Sequence, residues 1–145
     1  MADVAPDIPD RPPVRVREAM LAEPRAFRAD ATAQEAGVVL ARVEVRSVLV
    51  VDAEGLLVGE VTRAGLVAGV VAAGLDPCTV RLAEIVAPVA HTIAADMEVE
   101  AAFRLLEELD AERLPVVERG RLIGALSRSV LQRRLAEDEP PPESE

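Results

Sequence analysis

The sequence predicts an α+β fold of two pseudo-symmetric β-α-β-β-α units packed through their sheets. Two observations carry that expectation: the chain repeats itself, and both copies follow one order of hydrophobic patterns. Asp30 returns as Asp96, an offset of 66. Ala36, Val39, Leu40 and Val43 return as Ala102, Leu105, Leu106 and Leu109. Val48-Leu49-Val50-Val51 returns as Leu114-Pro115-Val116-Val117, and, after a one-residue deletion, Val58 to Arg63 returns as Ile123 to Arg128. Duplication of a supersecondary unit implies that neither copy buries its apolar face alone.

Each element has a local reason. Thr32 followed by Glu35 forms a capping box at a helix start. The apolar positions after it, spaced i, i+3, i+4 and i+7, give one buried stripe. In the second copy Asp96 or Glu98 must supply the cap. Four consecutive apolar residues follow in each copy, too few for a helix and suited to a strand buried on both faces. Turns containing Gly55 and Gly120 lead into a second strand, Leu57 to Val61 and Leu122 to Leu126, which predicts a hairpin. Thr62 and Ser127 end those strands and suit the N-cap of a second helix. Short extended leads, Ala26-Phe27 and Thr92-Ile93, precede each unit.

These patterns place the first copy at 14–75 and the second at 79–136. Residues 76–78 form the linker, since Pro77 disfavours helix at Asp76. Residues 1–13 and 137–145 are acidic and proline-rich, with net charges of −2 and −5 of the total of −10. Such tails are expected to be disordered, serving solubility or docking a partner.

Composition removes several function classes. Half of the 145 residues are hydrophobic but only 1% are aromatic, so the core is aliphatic and no stacking platform for bases exists. The negative charge argues against nucleic acid. No apolar run reaches the roughly 20 residues that span a bilayer, and the single Cys78 suits a reducing cytoplasm. A cytoplasmic protein is expected. Cys78 and His91 are alone of their kinds, so neither a zinc site nor a Cys–His nucleophile is supported. Glu107, Glu108 and Asp110 form a solvated helix face, not an acid/base pair. No catalytic residue and no metal ligand is predicted.

The repeated order resembles the CBS domain, and its duplication resembles the tandem CBS pair, or Bateman module. The stretch carrying most of the likeness is Leu114-Pro115-Val116-Val117 followed by Glu118, Gly120 and Ile123-Gly124-Ala125. Val16-Arg17-Glu18-Ala19-Met20, echoed by Leu82 to Val86, resembles the family's opening turn. The resemblance implies a non-catalytic regulatory module that requires no cofactor. It would bind AMP, ADP, ATP or S-adenosylmethionine in clefts related by a pseudo-twofold axis. It also implies hydroxyls at Thr62 and Ser127 near the ligand, and Thr92 on a lead strand beside it, with His91 adjacent. The family's ribose-binding Asp is missing from both copies, because Gly65 and Val130 stand at its position. A carboxylate that takes ribose hydrogen bonds contributes about 1.5–3 kcal/mol for each. Its loss leaves three options: a substitute group, a ligand without ribose, or empty clefts.

Arginine offers partial compensation, the alternative being that its side chains are solvated or paired with nearby Glu. Arg63 and Arg128 follow the two hydroxyl residues, and Arg25, Arg46 and Arg113 lie near strand entrances, where a guanidinium can fork onto phosphate oxygens. The expected ligand is an adenosine-type nucleotide or another small anion. The alternative is a dimerising scaffold that has lost nucleotide binding. Apolar surface left on the Gly65 to Leu75 segment predicts a homodimer, and a regulatory role predicts an unidentified protein target.

Overall fold

A computed structural model of the chain describes residues 14–22 and 26–138. The N-terminal tail, Arg25 and residues 139–145 lie outside the described residues. The order is α1 (Val16–Ala19), β1 (Leu21–Ala22), β2 (Ala26–Arg28), α2 (Ala33–Leu40), β3 (Ser47–Val51), β4 (Leu57–Thr62) and α3 (Arg63–Leu66). The last continues as a π-helical turn, Val67–Val71. A 3-10 turn at Leu82–Glu84 precedes β5 (Ile93–Ala94), α4 (Val99–Glu108), β6 (Arg113–Glu118), β7 (Arg121–Ser127) and α5 (Arg128–Asp138). The mixed α+β architecture and the helix–hairpin–helix order of both repeats are as the sequence predicts.

Two sheets form, β2-β3-β4 and β1-β7-β6-β5. In each, the lead strand runs parallel to the first hairpin strand and the hairpin is antiparallel. Gly55 and Gly120 take φ of +86° and +80° in the hairpin turns, which a glycine adopts without steric cost. The central strand β3 buries Val48 and Val50, whereas Ser47, Leu49 and Val51 are half-buried. It therefore alternates along its length instead of being buried on both faces.

The repeats exchange their leading segments. Leu21 and Ala22 pair with Ala125 and Gly124 of the second repeat. Reciprocally, Ala87 bridges Glu60 of the first, with Glu60 N–H to Ala87 O at 2.8 Å and Ala87 N–H to Glu60 O at 2.9 Å. The amides of Val16 and Arg17 donate to Met97 and Ala95; those of Leu82 and Ala83 donate to Ala31 and Ala29. Each core is thus composite. One joins Ala36, Leu40, Val48, Val50 and Val61 to Leu82. The other joins Val16 and Ala19 to Ile93, Ala102, Leu106, Val116, Leu126 and Leu131. The hairpin turns also meet, with Leu57 N–H donating to Gly120 O and Leu122 N–H donating to Gly55 O.

Helix starts differ in detail from expectation. Thr32 accepts from the Glu35 amide at 3.3 Å, but the Glu35 carboxylate accepts from the Thr32 hydroxyl instead of reaching back to the main chain. Glu98 is the N-cap of α4, yet its side chain makes no capping bond and lies 3.9 Å from Arg15. Helix α2 ends at Leu40, so Val43, expected on its buried stripe, is 88% exposed.

Candidate functional site

Strand directions gather the predicted residues at one end of each sheet. Strands β5 and β6 start there and β7 ends there, with α5 beginning immediately after. Arg113 is in register with Ser127, His91 and Thr92 precede β5, and Arg128 is the first residue of α5. His91, Thr92 and Arg113 are exposed. In the first repeat Ser47 is in register with Thr62, and Arg63 opens α3.

Thr62 caps α3, its Oγ1 accepting from the Gly65 amide at 2.9 Å. Arg63 turns away from that helix start. Its Nε and a terminal nitrogen donate to Leu40 O at 2.9 and 2.7 Å, and the same terminal nitrogen reaches Arg42 O at 2.9 Å and Val45 O at 2.7 Å. The carbonyls at the end of a helix lack intrahelical partners, and a guanidinium presents donors in a fork suited to several of them. Arg63 is therefore engaged in holding α2 against the α2–β3 loop.

The second repeat solves the same problem differently. The side chain of Arg128 lies 3.6 Å from the Asp110 carboxylate. Ser127 is only 4% exposed; its hydroxyl lies 3.3 Å from Glu112 Oε2 and 3.1 Å from Ser129 Oγ, and accepts from the Val130 amide at 3.4 Å. Glu112 also takes the Ser129 amide on its carboxylate at 3.3 Å and the Arg128 amide on its main-chain oxygen at 2.7 Å. Hydrogen bonding from Ser129, through its hydroxyl first and then its amide, holds the Glu112 carboxyl below its ordinary range. Ser127 and Arg128 add to that effect.

Sequence reasoning missed Glu112. The available signal was a change of sign, since the aligned position in the first repeat is Arg46. Gly65 and Val130 stand where the resemblance implies a ribose-binding acid. A Cβ on Gly65 would lie 3.2 Å from Thr62 Oγ1, and Val130 is half-buried.

A hollow of about 450 Å³, lined by Leu56, Glu118, Arg119, Arg121 and Ile123, lies at the opposite, hairpin end. There Glu118 is already paired with Arg17 of the exchanged leader at 2.8 Å. The functional reading centres on the hydroxyl end, because strand ends and helix starts meet there in both repeats, with Arg113 and Arg128 beside them in the second. Among the described residues no group of three His, Cys, Asp or Glu could hold a metal ion, and no helix is long and apolar enough to cross a membrane.

Solved structures share this fold. CBSX2, solved in complex with AMP, is 24% identical with a TM-score of 0.66, covering 85% of this chain and 96% of its own. A CBS domain pair/ACT domain protein from Thermotoga maritima is 22% identical with a TM-score of 0.68, at coverages of 86% and 98%. Hypoxic Response Protein I, solved with two coordinated zinc ions, is 22% identical with a TM-score of 0.67, at coverages of 83% and 98%. No curated protein matches the sequence. The CBS domain family matches residues 5–71 and 82–137. With both repeats matched and their fold shared by CBS pair structures, the chain belongs to the CBS domain family as a tandem pair.

Proposed function

We propose that this CBS pair is a non-catalytic regulatory module that senses an adenosine-type nucleotide or another small anion at the hydroxyl-lined ends of its sheets. The observation that carries the proposal is the twofold placement of Thr62 and Ser127 where a strand ends and a helix begins. Family membership supports it, as does AMP in the CBSX2 complex. Thr62, Ser127, Thr92 and His91 line the clefts in this reading, with Arg113 and Arg128 as cationic contacts. Arg25, outside the described residues, stays a candidate on sequence grounds alone, and Arg63 contributes by fixing α2.

Leader exchange supplies the output. A ligand that prefers one packing of the repeats shifts the population towards it, and the exchanged segments tie that shift to both cores. Val38, Val67, Val71 and Leu75 are 48–65% exposed on the first repeat's helical face, which we assign to a second copy in a homodimer or to the regulated protein.

A thermal-shift panel of AMP, ADP, ATP and S-adenosylmethionine tests the reading. At 100 times its dissociation constant a bound ligand stabilises by about 2.7 kcal/mol, which is several degrees for a domain of this size. No shift with any of the four would instead support a scaffold without nucleotide binding.

A further inference from the structure

The two hydroxyl ends are equivalent in backbone and opposite in charge. The segments leading to the first carry Arg42, Arg46 and Arg63 against Glu44; the aligned positions of the second carry Glu108, Glu112 and Asp110 against Arg128, with Arg113 in place of Ser47. The second also has its polar groups spoken for. The Glu112 main-chain oxygen takes the Arg128 amide; its carboxylate takes the Ser129 amide and lies within hydrogen-bond distance of the buried Ser127 hydroxyl, while Ser127 takes the Val130 amide. The opening amides of α5 are thus already occupied by the chain itself: Arg128 N–H by the Glu112 main-chain carbonyl, Ser129 N–H by the Glu112 carboxylate and Val130 N–H by the Ser127 hydroxyl. No counterpart acts in the first repeat, where position 46 is an exposed arginine and position 64 an alanine in place of Ser129.

We propose that Glu112 is a tethered anion that closes the second repeat's cleft to negatively charged ligands. A phosphate or carboxylate arriving at Ser127 would have to displace a carboxylate held by the same donors. It would meet like charge before it did so, and like charge at short range disfavours binding. The proposal rests on the sensor reading for the identity of the clefts and narrows it: anionic ligands are left to the Thr62 end, and the contacts assigned to Ser127, Arg113 and Arg128 become available to an anion only when Glu112 is displaced.

The test follows backbone amide resonances of the full chain during titration with sodium sulfate, against sodium chloride at matched ionic strength. In the native protein the amides of Arg128, Ser129 and Val130 should respond no more to sulfate than to chloride. In Glu112→Ala the same amides should shift saturably, with sulfate affinity raised by about tenfold or more, the equivalent of one charge-assisted hydrogen bond. Glu112→Gln keeps the volume and removes the charge, and should respond between the two; it decides the matter if the alanine variant does not fold. Identical sulfate responses in the native protein and the folded variants would overturn the proposal.

AMP separates this idea from the broader one. If native Ser129 shifts saturably with AMP, the closure is refuted while nucleotide sensing stands. If AMP, ADP, ATP and S-adenosylmethionine all move nothing but sulfate binds Glu112→Ala, the closure stands and nucleotide sensing falls.

Discussion

Arg63 donates to the main-chain oxygen of Leu40 through two nitrogens, closing the end of a helix that lies 23 residues upstream. Its repeat-related partner Arg128 makes an ion pair with Asp110 instead. Aligned arginines therefore serve different ends, and the difference is consequential. Hydrogen bonds to charged groups contribute about 1.5–3 kcal/mol, and an ammonium cannot reproduce a guanidinium fork. Arg63→Lys should cost stability in that range, measured by urea denaturation, and raise hydrogen exchange at the end of α2. Wild-type stability in the lysine variant would show that these bonds are not maintained in solution.

The exchanged leaders need glycine beneath them. A Cβ on Gly124 would meet Leu21 O at 2.8 Å and Met20 Sδ at 2.5 Å, and one on Gly59 would collide with Ala87 O. Backbone cannot retreat as a flexible side chain can. Gly59→Ala and Gly124→Ala should each destabilise by about 1–3 kcal/mol, the usual cost of overpacking. Thermal melts check this, with Gly74→Ala as a different case, since space there is open and only its positive φ opposes the change.

Leu82 belongs by sequence to the second repeat and by contact to the first core, where it is fully buried. Leu82→Ala should cost about 2–5 kcal/mol. Amide exchange should rise more in α2 and β3 than in α4 and β6. Greater loss of protection in the second repeat would contradict the composite core.

Acid should weaken the fold through two depressed carboxyls. Glu112 is held low by Ser129 foremost, and Glu118 by its hydrogen bond and charge interaction with Arg17. A folded pKa below the unfolded one gives stability that is present above the unfolded value, about 4.3 for Glu. That stability is lost as pH falls through the folded value. The melting temperature of the native chain should therefore drop more steeply below pH 4.3 than that of a Glu112→Gln, Glu118→Gln variant. Equal slopes, or ordinary titration midpoints for both carboxyls by NMR, would refute it.

Local pattern made much of the fold legible. The stripe of Ala102, Leu105, Leu106 and Leu109, the hairpin glycines and the cap at Thr62 each depend on neighbours within a few positions, and the structure contains all of them. The stripe in the first repeat overreached at Val43, because the end of α2 depends on Arg63 from a later helix. Glu98 was readable as a cap position but not as a side chain without a capping bond. At the site, Thr62 and Ser127 were legible as hydroxyls ending strands. Glu112 was not, because its role depends on a serine 15 residues downstream and on the turn that delivers both to one place.

By itself the sequence determined the twofold repetition, the order of elements in each copy, the aliphatic core and the hydroxyls that end the second hairpin strands. Those properties are written in spacing and residue type, which act over one or two turns of chain. The tertiary structure alone decided that the first leader adds a strand to the second repeat's sheet while the second leader bridges the first, that Arg63 holds a helix end, and that the Glu112 carboxylate takes the Ser129 amide at the start of α5. Hydrogen-bond partners and burial are settled by distance in space, and contacts such as Arg17 to Glu118 join positions 101 residues apart. No periodicity encodes such a pairing; it exists only once both sheets have formed.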